Sequence, residues 1–236
     1  MRIYKSHMTK QTKLKLGVSQ ILNDGAIVEA MESDIKPNSQ LPFEGRILAS
    51  YFASYLTTRE AGYMANYYGL ISSYLLKWEH EGIVKSELPD NKKVYFEFND
   101  QKSPTMGIEL ELYDLLKTNR LTGIIKEDYE LLQNWIKKTL ALGEQELLAT
   151  SEVAFDAKGR VRFTKKGYEA SLLQAGFEKN FLNLSLTTFK KQETEHQKQT
   201  LIFALLLDFT EEIENFTNSN EEVPEIIQIA NRVWRF

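Results

Sequence analysis

The amino-acid sequence predicts a mainly α-helical protein with small β-hairpins, an α+β fold, and three observations carry that reading. Apolar residues recur at three- and four-residue spacing in several long segments, such as Ile47, Leu48, Tyr51 and Phe52. Two pairs of short runs, 83–88 with 93–98 and 153–156 with 160–163, are each joined by turn formers, Pro89-Asp90-Asn91 and Ala157-Lys158-Gly159. An apolar fraction of 42% and a charged fraction of 26% over 236 residues suit a chain that buries a real core.

Taken in order, residues 1–40 form a basic N-terminal arm and linker. Arg2, Lys5, Lys10, Lys13 and Lys15 all precede the first acid, Asp24, and the segment closes in the loop-like stretch 36–40. Residues 41–100 carry the sharpest pattern. Pro42 suits the first position of a helix reaching to about residue 55, because its fixed φ is already helical. Thr57 and Glu60 are spaced as a capping box for a short second helix ending at residue 67 or 68. A further helix, 70–80, lines up Ile71, Tyr74, Leu75 and Trp78 and stops at Gly82, the position expected of a helix C-cap. Helices followed by a two-stranded wing make residues 41–98 a winged-helix unit.

Residues 101–168 repeat that order more weakly and read as a second, degenerate winged helix. Its helices are 108–117 and 126–142, the latter with Tyr129, Leu132, Trp135, Ile136 and Leu140 as its apolar stripe. Residues 169–236 are a C-terminal helical region, continuing a helix 166–182 broken near Gly176 and adding helices at 194–216 and 224–234. The longest apolar run, 201–207, falls far short of the roughly 20 residues a membrane-spanning helix needs, so it reads as a buried core helix. With no continuous apolar stretch at its start, the chain is expected to lack a signal peptide and to be soluble.

Site chemistry is sparse. The sequence has no cysteine, which excludes disulfides and cysteine-ligated metals and suits a reducing compartment. His7, His80 and His196 lie in different elements without a partner at metal-ligand spacing, and there is no phosphate-binding glycine loop or nucleophile elbow. Gly167 and Gly176 are isolated and read as helix punctuation. The acidic pairs Glu109/Glu111 and Glu211/Glu212 read as solvated helix faces. No catalytic residue, metal ligand or cofactor is therefore expected, and the chain is read as non-enzymatic.

Two surfaces remain. Tyr63, Tyr67, Tyr68, Tyr74 and Trp78 crowd one small unit. Tyr74 and Trp78 read as core. Tyr67 and Tyr68, at a helix end, either fill a core or form a sticky recognition surface, since tyrosine is enriched at binding hot spots. Together with Ser72, Ser73 and Lys77 they make the candidate interaction surface. A DNA-binding winged helix would use this same helix, but 70–82 carries Lys77 against Glu79 and Glu81, a net of −1, and the wing 83–98 sums to 0. Phosphate neutralisation supplies nearly all non-specific affinity, so nucleic acid is disfavoured as a partner. The second surface is electrostatic: residues 191–225 hold nine acids against Lys191 and Lys198, a net of −7, opposite in sign to the N-terminal arm. The arm either meets an anionic surface or is simply solvated.

Three segments resemble the cytoplasmic portion of the YciQ-like predicted membrane proteins of bacteria. The first runs from Leu41-Pro42 through Ala49-Ser50 to Leu75, Gly82 and Ile83. The second comprises Thr164, Gly167 and Glu169 followed by Gly176-Phe177 and Phe181-Leu182. The third is the apolar 201–207 followed by Glu211, Glu212 and Ile213. The resemblance spans about residues 41–234 and rests on the order of the motifs. The extracytoplasmic β-rich domain, membrane helices and Gly-rich tail typical of such proteins have no counterpart here, which leaves either an excised soluble region or a soluble variant. The family has no established activity to carry over. The resemblance implies a protein-interaction module at the cytoplasmic face of a bacterial membrane, with an unidentified protein partner. Lys5, Lys10, Lys13 and Lys15 would then be a membrane-proximal arm, because loops beside membrane helices collect cations. The alternative is a winged-helix transcription regulator.

Overall fold

The computed structural model describes residues 35–60, 66–88, 94–121, 123, 125–219 and 221–235, with 19–21, 27–29 and 58–60 described by their backbone. It is mainly helical with small antiparallel strand pairs. Strands β1 (Ser19–Ile21) and β2 (Ile27–Glu29) pair first. After the turn Pro42–Gly45 come helices α1 (Ile47–Glu60) and α2 (Tyr67–Glu81), then the hairpin β3 (Val84–Glu87) and β4 (Tyr95–Phe98). Helices α3 (Gly107–Lys117) and α4 (Lys126–Ala149) lead to a second hairpin, β5 (Val153–Phe155) and β6 (Val161–Phe163). Five helices finish the chain: α5 (Lys165–Leu182), α6 (Leu186–Lys190), α7 (Thr194–Leu206), α8 (Thr210–Thr217) and α9 (Glu225–Val233). A helix–helix–hairpin order thus occurs twice.

Several expected boundaries move, each for a local reason. Pro42 does not open a helix. Phe43, Glu44 and Gly45 adopt positive φ, at 46°, 58° and 82°, and α1 begins only at Ile47. Left-handed residues other than glycine cost about 1–3 kcal/mol each. Here the turn buries Phe43 in a core, worth about 1.5–3 kcal/mol, and aims its carbonyl at the N–H and Nε–H of Arg46. The capping box at Thr57 is not used either. α1 runs straight through, and the Thr57 hydroxyl bonds back to the carbonyls of Ala53 and Ser54, satisfying itself inside the helix. The short separate helix is therefore absent from 57–60, and α2 is capped by Asn66, whose side chain accepts from the Gly69 N–H at 3.1 Å. The turn Pro89-Asp90-Asn91 and Tyr63 lie outside the described residues. Gly82 does cap α2, at φ 70°, with Ile83 N–H donating to the Trp78 carbonyl. α5 is unbroken at Gly176, whereas the expected helix 194–216 divides at Asp208, which takes φ 66°.

The main core joins α2, α3, α4, α5, α7, α8 and α9, so it crosses the divisions drawn at residues 100 and 168. The reason lies in α2: Leu70, Ile71, Tyr74, Leu75, Leu76 and Trp78 face more than one side of the helix and all are buried. A two-stranded hairpin cannot cover them, and the apolar α7 (Leu201 to Leu206, all buried) does so instead. A second core lies on the other side of α1, where Phe43, Phe52 and Leu56 meet Leu147, Val153, Val161 and Phe163.

Both helix seams depend on a glycine. A Cβ at Gly69 would stand 2.6 Å from the Leu205 carbonyl oxygen and 2.9 Å from that of Leu206; one at Gly143 would strike the Leu48 carbonyl of α1. In an isolated helix, replacing glycine with alanine gains about 1 kcal/mol. The close approach reverses the sign: Gly69→Ala and Gly143→Ala are each expected to lower stability by about 1–3 kcal/mol in urea unfolding, and a stabilising result would contradict the seams. Trp78→Ala, at a fully buried position, is expected to cost about 3–5 kcal/mol in the same measurement.

Candidate interaction surface

The five candidates on α2 do not share one surface. Ser72 and Ser73 are buried, and the Ser73 hydroxyl lies 2.7 Å from the Gly69 carbonyl and 3.0 Å from that of Ile202, tying α2 to α7. Ser73 thus belongs to the α2–α7 seam, and neither serine is open to a groove. Lys77 is half-buried and spent. Its Nζ donates to both oxygens of Glu109 at 2.8 Å, and Glu81 stands 3.8 Å away. Glu109 also accepts from the Trp78 Nε1–H at 3.0 Å, so one carboxylate fixes both side chains from α3. Glu109, expected on a solvated face, is thus engaged, whereas Glu111 is exposed as expected and pairs at the surface with Lys138 at 2.7 Å. Glu212 departs further from expectation and is buried in the first turn of α8, where free helical N–H groups favour a carboxylate. The arm residues Lys5, Lys10, Lys13 and Lys15 lie outside the described residues.

Tyr67 and Tyr68 are the candidates that reach the surface. Tyr67 is half-buried and Tyr68 is 40% exposed, with ring centroids 4.3 Å apart. Burial raises the Tyr67 phenol well above its usual range, helped by a hydrogen bond to Tyr68 and by the proximity of Tyr129. Tyr129 is 52% exposed, so it leaves the apolar stripe in which Leu132, Trp135 and Ile136 are buried. It sits in the first turn of α4, just after exposed Ile125. Behind them Tyr51 of α1 is buried, its phenol pushed up by burial and then by Tyr67 and Tyr55, and its hydroxyl has no partner among the described residues. The result is an aromatic surface where α2 and α4 begin, backed by α1, with Lys126, Glu127 and Glu130 exposed beside Tyr129 in the chain. Spacing alone placed Tyr129 in the core. The available signal was its position before the first full turn of the stripe.

The Thr164 and Gly167 pattern has a packing explanation. Thr164 caps α5, accepting from the Gly167 N–H at 3.3 Å, while its own hydroxyl reaches the Ser151 carbonyl at 2.8 Å. A Cβ on Gly167 would collide with the Glu152 carbonyl. Glu152 is itself buried and takes a two-oxygen bond from Arg46 Nη2, at 2.8 and 2.7 Å, which clamps the turn before α1 to the second hairpin. Gly176 likewise sits against Lys36 and Asn38. These glycines are contact points between elements, where punctuation had been expected.

Among the described residues no cluster of three or more His, Cys, Asp or Glu side chains is placed to hold a metal, and no helix is long and apolar enough to cross a membrane. No family model matches the chain, and no curated protein or solved structure matches it either.

His80, near the end of α2, is half-buried and its Nε2 has no partner among the described residues. Burial lowers its pKa from 6.5, with Lys198 acting in the same direction and Glu195 of α7 opposing. The unfolded chain therefore binds this proton more readily than the folded one. The contribution is present above the unfolded value and lost as pH falls below it. Stability should decline as pH falls below about 6.5, and His80→Gln should flatten that part of the profile; an unchanged slope would remove His80 as its origin.

Proposed function

We propose that the chain is a non-enzymatic protein-interaction module, at the cytoplasmic face of a bacterial membrane, that binds its partner through the tyrosine surface around Tyr67. The carrying observation is that Tyr68 and Tyr129 are exposed beside the half-buried Tyr67, with Tyr51 behind them. Rigid aromatics of this kind give large contact area at low entropic cost and dominate binding hot spots. We read residues 41–98 and 107–163 as winged-helix relatives. Their order, the Gly82 cap and the two hairpins support this. In the first of them, the second helix is turned inward to become core. Membrane placement draws on the order of the three resembling segments and on the five cations that precede Asp24.

The transcription-regulator reading is less well supported. Ser72 and Ser73 are buried and Lys77, the one lysine or arginine of that helix, is paired with Glu109, so the helix offers no open cation to phosphates.

The test uses the full chain. Tyr68→Ser with Tyr129→Ser should leave stability within about 0.5 kcal/mol while abolishing capture of the protein that the unaltered chain retains from a bacterial lysate. Capture that survives the double substitution would remove the tyrosine surface from the proposal. No appreciable affinity for duplex DNA is expected at physiological salt. A sub-micromolar constant that weakens steeply with salt would favour the regulator instead.

A further inference from the structure

The second hairpin differs in charge from the rest of the molecule. In a chain of net charge −4, the hairpin 153–163 holds Lys158, Arg160 and Arg162 against Asp156, a net of +2, and Lys165 and Lys166 follow in the first turn of α5, where Lys165 is exposed and stands 4.0 Å from Glu169. The first hairpin, by contrast, is neutral over 83–98. The tip of the second is held rigid. Asp156 Oδ1 accepts from the backbone N–H groups of Lys158 and Arg160 at 2.8 and 2.9 Å, and its carbonyl accepts from Gly159 N–H, where φ is +70°. At that tip Phe155 is 58% exposed. Side chains two apart on a strand share a face, so Phe155 lies on the same side as buried Val153, opposite Val161. The second core does not include Phe155, and its ring stands in water.

We infer that the β5–β6 hairpin is a contact element for an anionic bilayer, with Phe155 entering the interfacial layer and Lys158 and Lys165 facing lipid phosphates. Aromatic rings settle at the headgroup level, and cations near an anionic leaflet add to the attraction. A nucleic-acid backbone fits less well. Phosphate recognition favours open arginine forks, whereas Arg160 pairs with Asp156 at 2.8 Å and Arg162 stands 3.8 Å from the same carboxylate. Lys166 is likewise drawn to the Thr150 carbonyl at 2.9 Å. What remains is diffuse positive charge around a protruding apolar ring. β1 lies close to β6, so the chain arriving from the N-terminal arm meets the fold beside this hairpin. The inference deepens the membrane placement proposed above and is independent of the tyrosine surface.

The experiment is co-sedimentation of the full chain with vesicles of phosphatidylcholine and phosphatidylglycerol in equal parts, against phosphatidylcholine alone, at low and physiological salt. A hairpin variant (Phe155→Ser, Lys158→Gln, Lys165→Gln) is compared with an arm variant (Lys5, Lys10, Lys13 and Lys15→Gln). The hairpin variant should bind anionic vesicles about tenfold more weakly or worse, each lysine near a leaflet being worth roughly a fivefold factor; the arm variant should retain salt-sensitive binding. Because the sequence has no cysteine, Ala157→Cys carries an environment-sensitive dye at one site. Its emission should shift to the blue with anionic vesicles and stay put with neutral ones, a readout independent of how the hairpin variant folds. A silent dye, or a folded hairpin variant that binds as well as the unaltered chain, would overturn the inference. So would vesicle binding lost entirely in the arm variant, and nucleic-acid binding lost in the hairpin variant without vesicle binding would reassign the surface. Loss of protein capture through Tyr68 and Tyr129 would leave the vesicle result unchanged.

Discussion

The close approach of α2 to α7 is the constraint on which the rest of the molecule depends. Two helices meet at backbone distance only where a side chain is missing, and Gly69 is that position, seated against the Leu205 and Leu206 carbonyls. One turn along, the Ser73 hydroxyl bonds across to Ile202. With the seam closed, α2 has no free apolar face, and the remaining helices arrange themselves around the pair. Burial here supplies the dominant stabilisation, and the seam also ties the first hundred residues to the last forty.

That same constraint shapes what the surface offers. A helix buried along most of its length exposes only its ends. At the N-terminal end of α2 the exposed side chains among the described residues include Tyr68, near Tyr129 of α4. At the other end His80 is wedged toward α7 under the influence of Glu195 and Lys198. Charge that the helix does carry is consumed inward, Lys77 by Glu109, whose carboxylate also orients Trp78.

A second organising element sits at the other face of α1. The left-handed turn at Phe43, the Arg46–Glu152 pair and the Gly167 seat bring the start of α1, the end of α4, the second hairpin and the start of α5 to one point. Glu146 belongs to it as well, accepting from the Ala49 N–H at 3.2 Å, with burial raising its pKa above the ordinary 4.5. Partly buried charge of this kind contributes little net energy and much geometry. It holds the hairpin so that Phe155 and its flanking cations project beyond the core.

By itself the sequence determined the helical class, most helix spans, the two hairpins at 83–98 and 153–163, the Gly82 cap and the burial of Tyr74, Trp78 and residues 201–206, because these follow from periodicity and local backbone preference; the β1–β2 pair falls in the segment read as an arm and linker. Local patterns also misled where a neighbour distant in the chain set the outcome. Pro42 and the Thr57 spacing are sound helix signals, yet Phe43 is drawn into a core built from α4 and β6, and α1 has no reason to stop at Thr57. Gly167 and Gly176 look like helix breakers, and only the packed structure gives them the Glu152 and Asn38 contacts that require a missing side chain. Ser72, Ser73 and Lys77 have the composition of a recognition face, but their exposure was decided by α7 and α3, more than thirty residues away. Tyr129 shows the reverse: its spacing is that of a core residue, yet in the first turn of α4 it is exposed. Periodicity records which residues share a face; what covers that face is a property of the assembled fold.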